Sequence, residues 1–231
     1  MKISIVMATY RKGNDLSYLE KSIGSLFSQT HLDFKLYLIG DRFEGEEDLL
    51  NIISKFDNKK IHFKNLEVAK ERDFYEDKNA LWLYGGVNAF NEGIEISLAE
   101  GNNYICHLDH DDYWDPNHLE LINKCIIETC SDWVCTKAKY VRNETFVIDT
   151  ILPIVESDDE FISFLPIPHG VVHSSVCVNF KNIPLRYRDI YNETGNLGLP
   201  SDADLLQRCS DFITLNNLKS TLVNRITCHS C

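Results

Sequence analysis

The sequence is short of positive charge. Its 231 residues include 23 lysines and arginines against 35 aspartates and glutamates, which gives a formal net charge of −12 at pH 7. Binding to nucleic-acid phosphates requires clustered Lys and Arg, and the sequence contains no long basic run. A general nucleic-acid binder is therefore disfavoured, and an anionic substrate would need the help of a bound cation.

Long apolar runs are also missing. The first apolar run, residues 3–8, stops at Thr9. It is too short for the hydrophobic region of a secretion signal or for a membrane span. We therefore expect a cytoplasmic protein without an integral membrane segment, and peripheral association with a membrane is compatible with this expectation.

Disulfides are not expected, although eight cysteines are present. Without an export signal, cysteines in a chain of this length are expected to be buried reduced thiols. The ending CHSC places Cys228 and Cys231 around His229, which is half of a zinc-site spacing, and no second matching pair occurs. Structural zinc at this position is a minor alternative.

Internal repeats, low-complexity tracts and Pro/Gly/Ser-rich linkers are absent from the sequence. With 44% hydrophobic residues, the chain can bury one sizeable core. We therefore expect a single domain over residues 1–231, with two functional halves, 1–115 and 116–231.

Strand-like and helix-like segments alternate along the first half. A β-branched run over residues 3–8 precedes apolar residues at helical spacing, with a helix cap expected at Asn14 or Asp15. FKLYLIG and KIHF predict two further strands around a helix over 48–56, which together indicate βαβαβ with a parallel sheet. Residues 67–84 are charged and lack clear periodicity, so they predict a loop or an irregular helix.

The remaining pattern is less regular. A helix is expected from about Gly86 to Ala99, followed by the strand NYICHL and a helix from Pro116 to Cys130. WVCTKAKYV and TFVIDTI, separated by RNE, predict an antiparallel hairpin, and a short helix is expected from Ser201. The pattern as a whole predicts an α/β fold.

Four aspartates lie in the stretch HLDHDDYWDP, residues 107–116, directly behind a predicted strand. Ligands of such sheets gather outside the carboxyl ends of the strands. Like charges side by side are costly unless they are solvated, paired or bound to a cation. On an extended backbone Asp109 and Asp111 point the same way, so both could face one Mg²⁺ or Mn²⁺ while Asp112 turns aside.

Two other interpretations of this stretch exist. An exposed acidic turn that caps the next helix stays open, because aspartates are favoured near a helix N-terminus. A calcium-binding EF-hand loop is rejected: Asp109, Asp111 and Glu120 have its spacing, but Trp114 occupies the position that requires glycine.

Four segments, ISIVMATY, LYLIGD, GGVNAFNEGIEISLAEGNNYICHLDHDDYWDP and SDADLLQR, resemble in order and spacing the signatures of family 2 glycosyltransferases with the GT-A fold. The resemblance implies a Rossmann-like three-layer αβα sandwich, with a mostly parallel central sheet and a small antiparallel element in the C-terminal half. It also implies a metal-dependent, inverting, hexosyltransferase-type enzyme that moves a sugar from a nucleotide diphosphate, most often UDP, to a hydroxyl of a glycan or other acceptor. The first half would bind the nucleotide sugar and the second half the acceptor.

The resemblance also implies donor-site residues. Tyr10 would stack on uracil, Asp41 would contact the base, and Gly85 and Gly86 would let the backbone approach the diphosphate at a helix N-terminus. Isolated residues of these types also end strands or form turns, and that interpretation stays open. The implied nucleotide-sugar contacts are Ala8, Thr9, Tyr10, Arg11, Asp41, Gly86, Asn91, Asp109 and His110.

The acidic stretch is implied to hold Mn²⁺ or Mg²⁺ through Asp109, Asp111 and Asp112. Oxygen ligands suit these ions, and a divalent cation on the phosphates stabilises the charge that the leaving nucleotide gains. His229, near the C-terminus, is an implied further ligand.

A carboxylate general base is also required, because the acceptor hydroxyl must lose a proton as it attacks. Asp202 matches the second acidic position of the family's E-D motif, and Asp204 is the fallback. Ser201 and Asp204 also have the spacing of a capping box, so a structural role stays open.

Two positions depart from the family pattern. Phe90 stands in place of the arginine of A-R-N-x-G, and Ser201 in place of the glutamate of the E-D motif. These departures leave room for a non-catalytic sugar- or nucleotide-binding module with the same fold. A sugar nucleotidyltransferase is the nearest enzymatic alternative, but ATYRKGND lacks the Gly-rich basic loop of such enzymes.

Several further residues have two interpretations. Trp82 either packs or offers a platform for a sugar, whereas Trp114 and Trp133 are expected in the core. Histidines and serines of HGVVHSS lie where the family often lines its pocket, although each is more often structural: His169, His173, Ser174 and Ser175.

Overall fold

The fold is described by a computed structural model that covers residues 1–140, 150–195 and 198–230. In the first half, strands and helices alternate as β1 Ile3–Thr9, α1 Ser17–Phe27, β2 Phe34–Gly40, α2 Glu46–Ile53, β3 Ile61–Asn65, α3 Lys70–Phe74, α4 Lys78–Tyr84, α5 Val87–Ala99 and β4 Tyr104–His107. The second half contains β5 Tyr113–Trp114, α6 His118–Thr129, β6 Trp133–Tyr140, β7 Thr150–Leu152, β8 Phe161–Ser163, β9 Val176–Asn179, α7 Ile190–Thr194, α8 Ser201–Asn216 and β10 Ser220–Ser230.

All ten strands of the described residues join one sheet. Its order is β3-β2-β1-β4-β9-β6-β10-β5, with β7 added to β6 and β8 added to β10. The strands β3, β2, β1 and β4 are parallel, β9 runs antiparallel to both β4 and β6, and β10 is parallel to β6. Six of the ten strands therefore run in one direction, and the prediction of a mostly parallel sheet is confirmed.

Helices cover both faces of this sheet. Successive residues of a strand point to opposite faces, and in β1 the residues on both faces are apolar and buried. On β1, Ile3, Ile5 and Met7 join a buried cluster with side chains of α1, α2 and α6. Val6 faces the other side and packs with side chains of α4, α5 and α8. A Cβ at Gly93 of α5 would lie 2.6 Å from a Val6 methyl, so glycine at this position allows α5 to lie close on β1. The result is the expected three-layer αβα sandwich.

Several element predictions are confirmed. The segment βαβαβ is parallel throughout, α5, β4 and α6 occur where expected, and β6 pairs with β7 in antiparallel fashion. The predicted turn RNE lies outside the described residues. The antiparallel part of the sheet is larger than predicted, because β5, β8 and β9 also run against their neighbours.

Other local predictions need correction. The helix α8 is not short but has 16 residues. Its cap position is Pro200, without a side-chain cap, so the predicted capping box of Ser201 and Asp204 does not form. The cap position of α1 is Leu16, and Asp15 contributes only by accepting a hydrogen bond from the amide of Ser17. The segment 67–84 forms the two short helices α3 and α4, separated by Tyr75, Glu76 and Asp77.

Seven described cysteines are free, and six of them are buried, as expected; Cys130 is exposed. Among the described residues, no helix combines the length and the apolar character that crossing a bilayer would require.

Candidate active site

A first cavity of about 390 Å³ opens where β1, β2 and β4 end and α5 begins. Gly86 precedes α5 with φ +83°, a left-handed conformation that glycine adopts without strain. This is the edge of the sheet at which a ligand was expected. The cavity is lined by Ala8, Thr9, Tyr10, Asp41, Arg72, Lys78, Leu81, Trp82, Gly85, Gly86, Phe90, Asp109, His110 and Asp111.

A buried carboxylate lies in the wall of this cavity. Asp41 directly follows β2 and is only 1% exposed. Arg72 of α3 donates from Nε to Asp41 Oδ2 at 2.9 Å and also donates to the carbonyl of Asp41. Asp41 Oδ1 is buried and accepts no hydrogen bond from the described residues. Burial raises the pKa of Asp41, although Arg72 opposes this shift. The cavity therefore presents a buried acceptor that lacks a donor.

Aromatic and cationic groups lie beside this acceptor. The Tyr10 ring is 37% exposed, and the Arg72 guanidinium lies 5.3 Å from its centroid. The ring of His110 lies 5.1 Å from that of Tyr10, and His110 Nδ1 is 3.1 Å from Thr9 Oγ1. Burial lowers the pKa of His110 to about 4, so this imidazole is neutral at pH 7. His110 thus supports the Tyr10 side chain without adding charge.

The aspartates behind β4 lie on a turn. The amide of Asp112 donates to the carbonyl of Asp109 at 3.1 Å, which closes a turn over residues 109–112. The predicted extended backbone is therefore wrong: the chain turns after β4, and residues 113–114 then pair with β10. Asp109 and Asp111 nevertheless both line the first cavity.

Asp109 is held by a chain of hydrogen bonds. Its Oδ1 lies 3.0 Å from Nδ1 of His173, and Nε2 of His173 contacts the hydroxyl of Tyr187. The same hydroxyl lies 2.7 Å from Nδ1 of His107. Four side chains from three separate segments thus form one partly buried network that positions the Asp109 carboxylate, whose side chain is 39% exposed.

Opposite shifts of pKa mark the His173 and Asp109 pair. Burial lowers the pKa of His173, but the Asp109 carboxylate outweighs burial and the pKa is raised. Burial raises the pKa of Asp109, but the charge and hydrogen bond of His173 outweigh it and the pKa is lowered. Burial together with the nearby charge of His173 holds the pKa of His107 well below its ordinary value. The network therefore contains one ion pair and one neutral imidazole.

The other two aspartates have different partners. Lys12 Nζ lies 2.6 Å from Oδ2 of Asp111, whose side chain is 31% exposed. Asp112 is only 3% exposed, and its Oδ2 accepts from Ser174 Oγ at 2.5 Å. Ser174 Oγ in turn accepts from the Asp109 amide at 2.9 Å. Ser174 thus links both ends of the turn over residues 109–112 and stabilises it.

A second cavity of about 520 Å³ adjoins the first and shares Trp82, Gly85, Phe90, Asp109 and Asp111 with it. Asp202, in the first turn of α8, lines only the second cavity. The other residues that line it are Leu83, Asp112, Leu152, His169, Val171, Val172, His173, Tyr187, Pro200, Ser201, Ala203, Leu206 and Ser230.

Two residues predicted to contact the nucleotide lie elsewhere. Arg11 pairs with Asp48 of α2 and donates to the carbonyl of Glu44 at 2.7 Å, and it lines neither cavity. The Asn91 side chain exchanges two 3.0 Å hydrogen bonds with the backbone of Tyr187. Asn91 therefore fixes the segment that carries Tyr187 and does not face the first cavity.

The fallback base and the further metal ligand also have structural partners. Asp204 is 6% exposed and is paired with Arg188 and Arg208, each at 2.6 Å, and it lines neither cavity. His229 Nε2 lies 3.0 Å from Asp115 Oδ1, and its ring stacks on Tyr113 with centroids 4.7 Å apart. Both side chains are thus engaged in holding the fold.

Across the described residues, no group of three or more His, Cys, Asp or Glu side chains is arranged to hold a metal ion. This applies to Cys228 and His229 of the predicted zinc alternative, whereas Cys231 lies outside the described part. Of the implied ligands, Asp109 and Asp111 are the two that line both cavities.

Sequence patterns did not reveal several residues of the site. Arg72 and Lys78 lie in the charged stretch without clear periodicity, and Arg72 meets Asp41 from 31 positions away. Tyr187 lies outside every predicted element, and His107 lies within the predicted strand NYICHL, where no pattern indicates a role in the site. Nothing in short-range spacing indicates these contacts, because the topology of the sheet brings them together.

Comparison with known proteins identifies relatives of this chain. No family model matches the chain. A protein of Acanthamoeba polyphaga mimivirus, named as an uncharacterized glycosyltransferase, is 31% identical over 220 residues, which are 94% of this chain and 88% of the relative. A protein of Nostoc sp., also named as an uncharacterized glycosyltransferase, is 28% identical over 123 residues, which are 53% of this chain but 32% of the relative.

Solved structures of S. aureus TarS show the same fold. The structure of TarS residues 1-349 in complex with UDP-GlcNAc matches this chain with a TM-score of 0.70 and 16% sequence identity. The match covers all of this chain and 58% of the TarS chain. The complex of the same TarS residues with UDP has a TM-score of 0.69. The chain spans less than two thirds of these structures. From its match to the viral relative, with 31% identity over nearly the whole chain, this chain belongs to the glycosyltransferases, and its fold is of the GT-A type.

Proposed function

We propose that the chain moves a sugar from a UDP-sugar to an acceptor hydroxyl, as a metal-assisted family 2 enzyme that inverts the anomeric carbon. One observation carries this proposal: Asp109 and Asp111 line both cavities, whereas Asp202 lines only the second. The first cavity then takes the nucleotide, the second takes the acceptor, and the sugar lies between them.

The first cavity suits a uracil nucleotide. Uracil offers one N–H donor on the edge that faces away from its ribose, and buried Asp41 Oδ1 is an acceptor that lacks such a donor. The exposed Tyr10 ring gives the base a surface on which to stack. The fold neighbour TarS has been solved with UDP and with UDP-GlcNAc, which supports this choice of donor.

The departure at Phe90 is compatible with donor binding. Its ring packs on His173 and Tyr187, with centroids 5.0 and 5.2 Å away, so it fills the wall between the cavities. Arg72 and Lys78 line the first cavity and supply positive charge that an arginine at position 90 would have offered. An anionic diphosphate therefore still finds cationic partners.

The donor set at the junction fits Mg²⁺ or Mn²⁺ held jointly with a substrate. Mg²⁺ is usually bound through one or two carboxylates together with substrate phosphates, and Asp109 and Asp111 offer two carboxylates. The ammonium of Lys12 already lies against Asp111, so this carboxylate attracts a positive charge in the protein itself. When bound, a divalent cation would act as a Lewis acid that neutralises charge on the diphosphate.

Asp202 is proposed as the general base. It lies in the first turn of α8, where the helix dipole favours a carboxylate, and it faces the second cavity. As the acceptor oxygen bonds to the anomeric carbon, the hydroxyl proton passes to Asp202. The bond from that carbon to the phosphate oxygen breaks, and its electron pair leaves with UDP. Attack from the acceptor cavity, opposite the nucleotide, gives inversion.

The experiment is a screen of nucleotide sugars with Mn²⁺ or Mg²⁺, with and without a panel of acceptors, in which released UDP is measured. We expect release from at least one UDP-sugar and little release from GDP- or CDP-sugars. Tight UDP binding without any release would favour the non-catalytic module instead.

A further inference from the structure

The two cavities differ in charge. Arg72 and Lys78 line the first cavity, whereas the described residues that line the second include neither lysine nor arginine. Four carboxylates line the second cavity, those of Asp109, Asp111, Asp112 and Asp202. Because like charges repel, an acceptor that carries its own negative charge would be disfavoured in the second cavity.

Two of these carboxylates lie beside a cation of the described residues. His173 lies 3.0 Å from Asp109, and Lys12 lies 2.6 Å from Asp111. Asp112 is buried and accepts from the neutral hydroxyl of Ser174. Asp202 accepts a hydrogen bond from the neighbouring amide of Ala203 at 2.8 Å. Asp202 adds a further carboxylate to this wall, and a bound donor diphosphate would offset the charge of a bound Mg²⁺, so the second cavity keeps an excess of carboxylates over cations.

An exposed indole borders both cavities. Trp82 of α4 is 71% exposed, whereas Trp114 and Trp133 are 3% and 0% exposed. The exposed ring offers an aromatic face at the edge of the second cavity, and aromatic faces pack against apolar surfaces. The C–H face of a pyranose ring is such a surface, and its hydroxyls remain free to hydrogen-bond at the ring edge.

Neutral hydrogen-bonding groups complete the wall. The side chains of Ser201, Ser230 and His169 line the second cavity beside the carboxylates. His169 has φ +59°, a left-handed conformation that is uncommon for a residue other than glycine. Carboxylates, hydroxyls and imidazole can all hydrogen-bond to sugar hydroxyls without requiring a charged partner.

We propose that the second cavity binds the acceptor as an uncharged sugar ring stacked on Trp82, and that it selects against acceptors with a phosphate or carboxylate near the reacting hydroxyl. This inference rests on the proposed function and names the acceptor class for the same site. Trp82 is then a specificity-determining residue, and the acidic wall is the element that rejects charged acceptors.

Quenching of tryptophan fluorescence by acrylamide tests the inference, because Trp82 is the one exposed indole among the three. The protein is kept saturated with UDP and Mg²⁺, and methyl glycosides and neutral oligosaccharides are compared with their 6-phosphates and uronates. We expect at least one neutral sugar to protect the indole, with matched charged sugars binding at least tenfold more weakly. The variant Trp82→Phe should lack the protectable signal.

Kinetics provide the second measurement. Trp82→Ala should raise the acceptor KM at least tenfold and change the Kd of UDP less than threefold, and Trp82→Phe should restore most of the acceptor affinity. Equal or better use of phosphorylated sugars would overturn the inference, as would UDP binding with no neutral sugar protecting Trp82. If UDP itself neither binds nor is released from any UDP-sugar, the proposed function fails, and this outcome is distinguishable from the others.

Discussion

His173 Nδ1 lies 3.0 Å from Asp109 Oδ1, and this contact joins the second cavity to the proposed donor site. The pKa of His173 is raised and that of Asp109 is lowered, so each group favours the charged form of the other. The ion pair holds in one orientation a carboxylate that lines both cavities.

The His173 contact predicts a pH-dependent stability. A histidine with a raised folded pKa stabilises the fold fully below its ordinary pKa of 6.5 and loses this contribution as pH rises through the folded value. His173→Gln should therefore lower Tm more at pH 6 than at pH 8. Thermal unfolding in EDTA measures this, with His62→Gln as a control outside the site. An equal loss at both pH values would mean that the pair carries no charge.

Buried Glu71 should make the free energy of unfolding depend on pH. It is 3% exposed, its Oε1 accepts from the amide of Asn88, and burial raises its pKa from 4.5 to about 7. Glu71 loses its proton at a lower pH in the unfolded chain than in the folded protein. The free energy of unfolding should therefore fall as pH rises from 4.5 to 7, by up to about 3 kcal/mol.

Glu71→Gln removes this titration and should gain stability relative to the wild type across that pH window. Urea unfolding at several pH values checks it, and Glu47→Gln on the exposed part of α2 is the matched control. If both variants follow the wild-type curve, Glu71 is not held in its neutral form.

The buried carboxylate of Asp41 should make the first cavity prefer uracil over cytosine nucleotides. In the proposed complex the buried Oδ1 of Asp41 accepts from uracil N–H, whereas cytosine would present an acceptor at the same place, so we expect UDP to bind at least tenfold more tightly than CDP. A hydrogen bond to a charged group contributes about 1.5–3 kcal/mol. Asp41→Ala should therefore weaken UDP binding and bring the UDP and CDP affinities close together in calorimetry. A preserved preference would assign base recognition to another residue.

Substitutions at Asp202 and Asp204 should have different effects, the first on sugar transfer and the second on stability. Asp202→Asn should keep UDP affinity and Tm but lose transfer by a factor of about 10² or more, because a general base typically contributes that much. Asp204→Asn leaves Arg188 and Arg208 without their shared carboxylate and should lower the stability by about 2 kcal/mol or more. Turnover and thermal unfolding separate the two effects. Normal turnover by Asp202→Asn would remove it from the chemistry.

Periodicity and motif order were sufficient to predict the strands and longer helices of the first half, but not the two short helices α3 and α4. The buried strands of residues 3–8 and 34–40 have continuous apolar patterns, and the helix over 87–99 has clear helical spacing. The C-terminal half was harder, because β5, β8 and β9 have only two to four residues each. Such short strands form through pairing with neighbours that are distant in sequence.

Motif positions singled out four carboxylates that line one or both cavities, Asp41, Asp109, Asp111 and Asp202, but they did not indicate the partners of these carboxylates. The partners could not be predicted, since Arg72 and His173 are 31 and 64 positions from the aspartates that they contact. For Arg11, Asn91, Asp204 and His229, a motif position did not settle the direction of the side chain: other partners engage all four.

The central proposal is that Asp109 and Asp111 hold a divalent cation for the donor diphosphate. Calorimetric titration of UDP in EDTA and in Mn²⁺, for the wild type and Asp111→Asn, tests this most directly. We predict that Mn²⁺ increases the UDP affinity of the wild type at least tenfold and that the variant loses this increase. Equal UDP affinity with and without the metal, or an increase that survives in Asp111→Asn, would contradict the account.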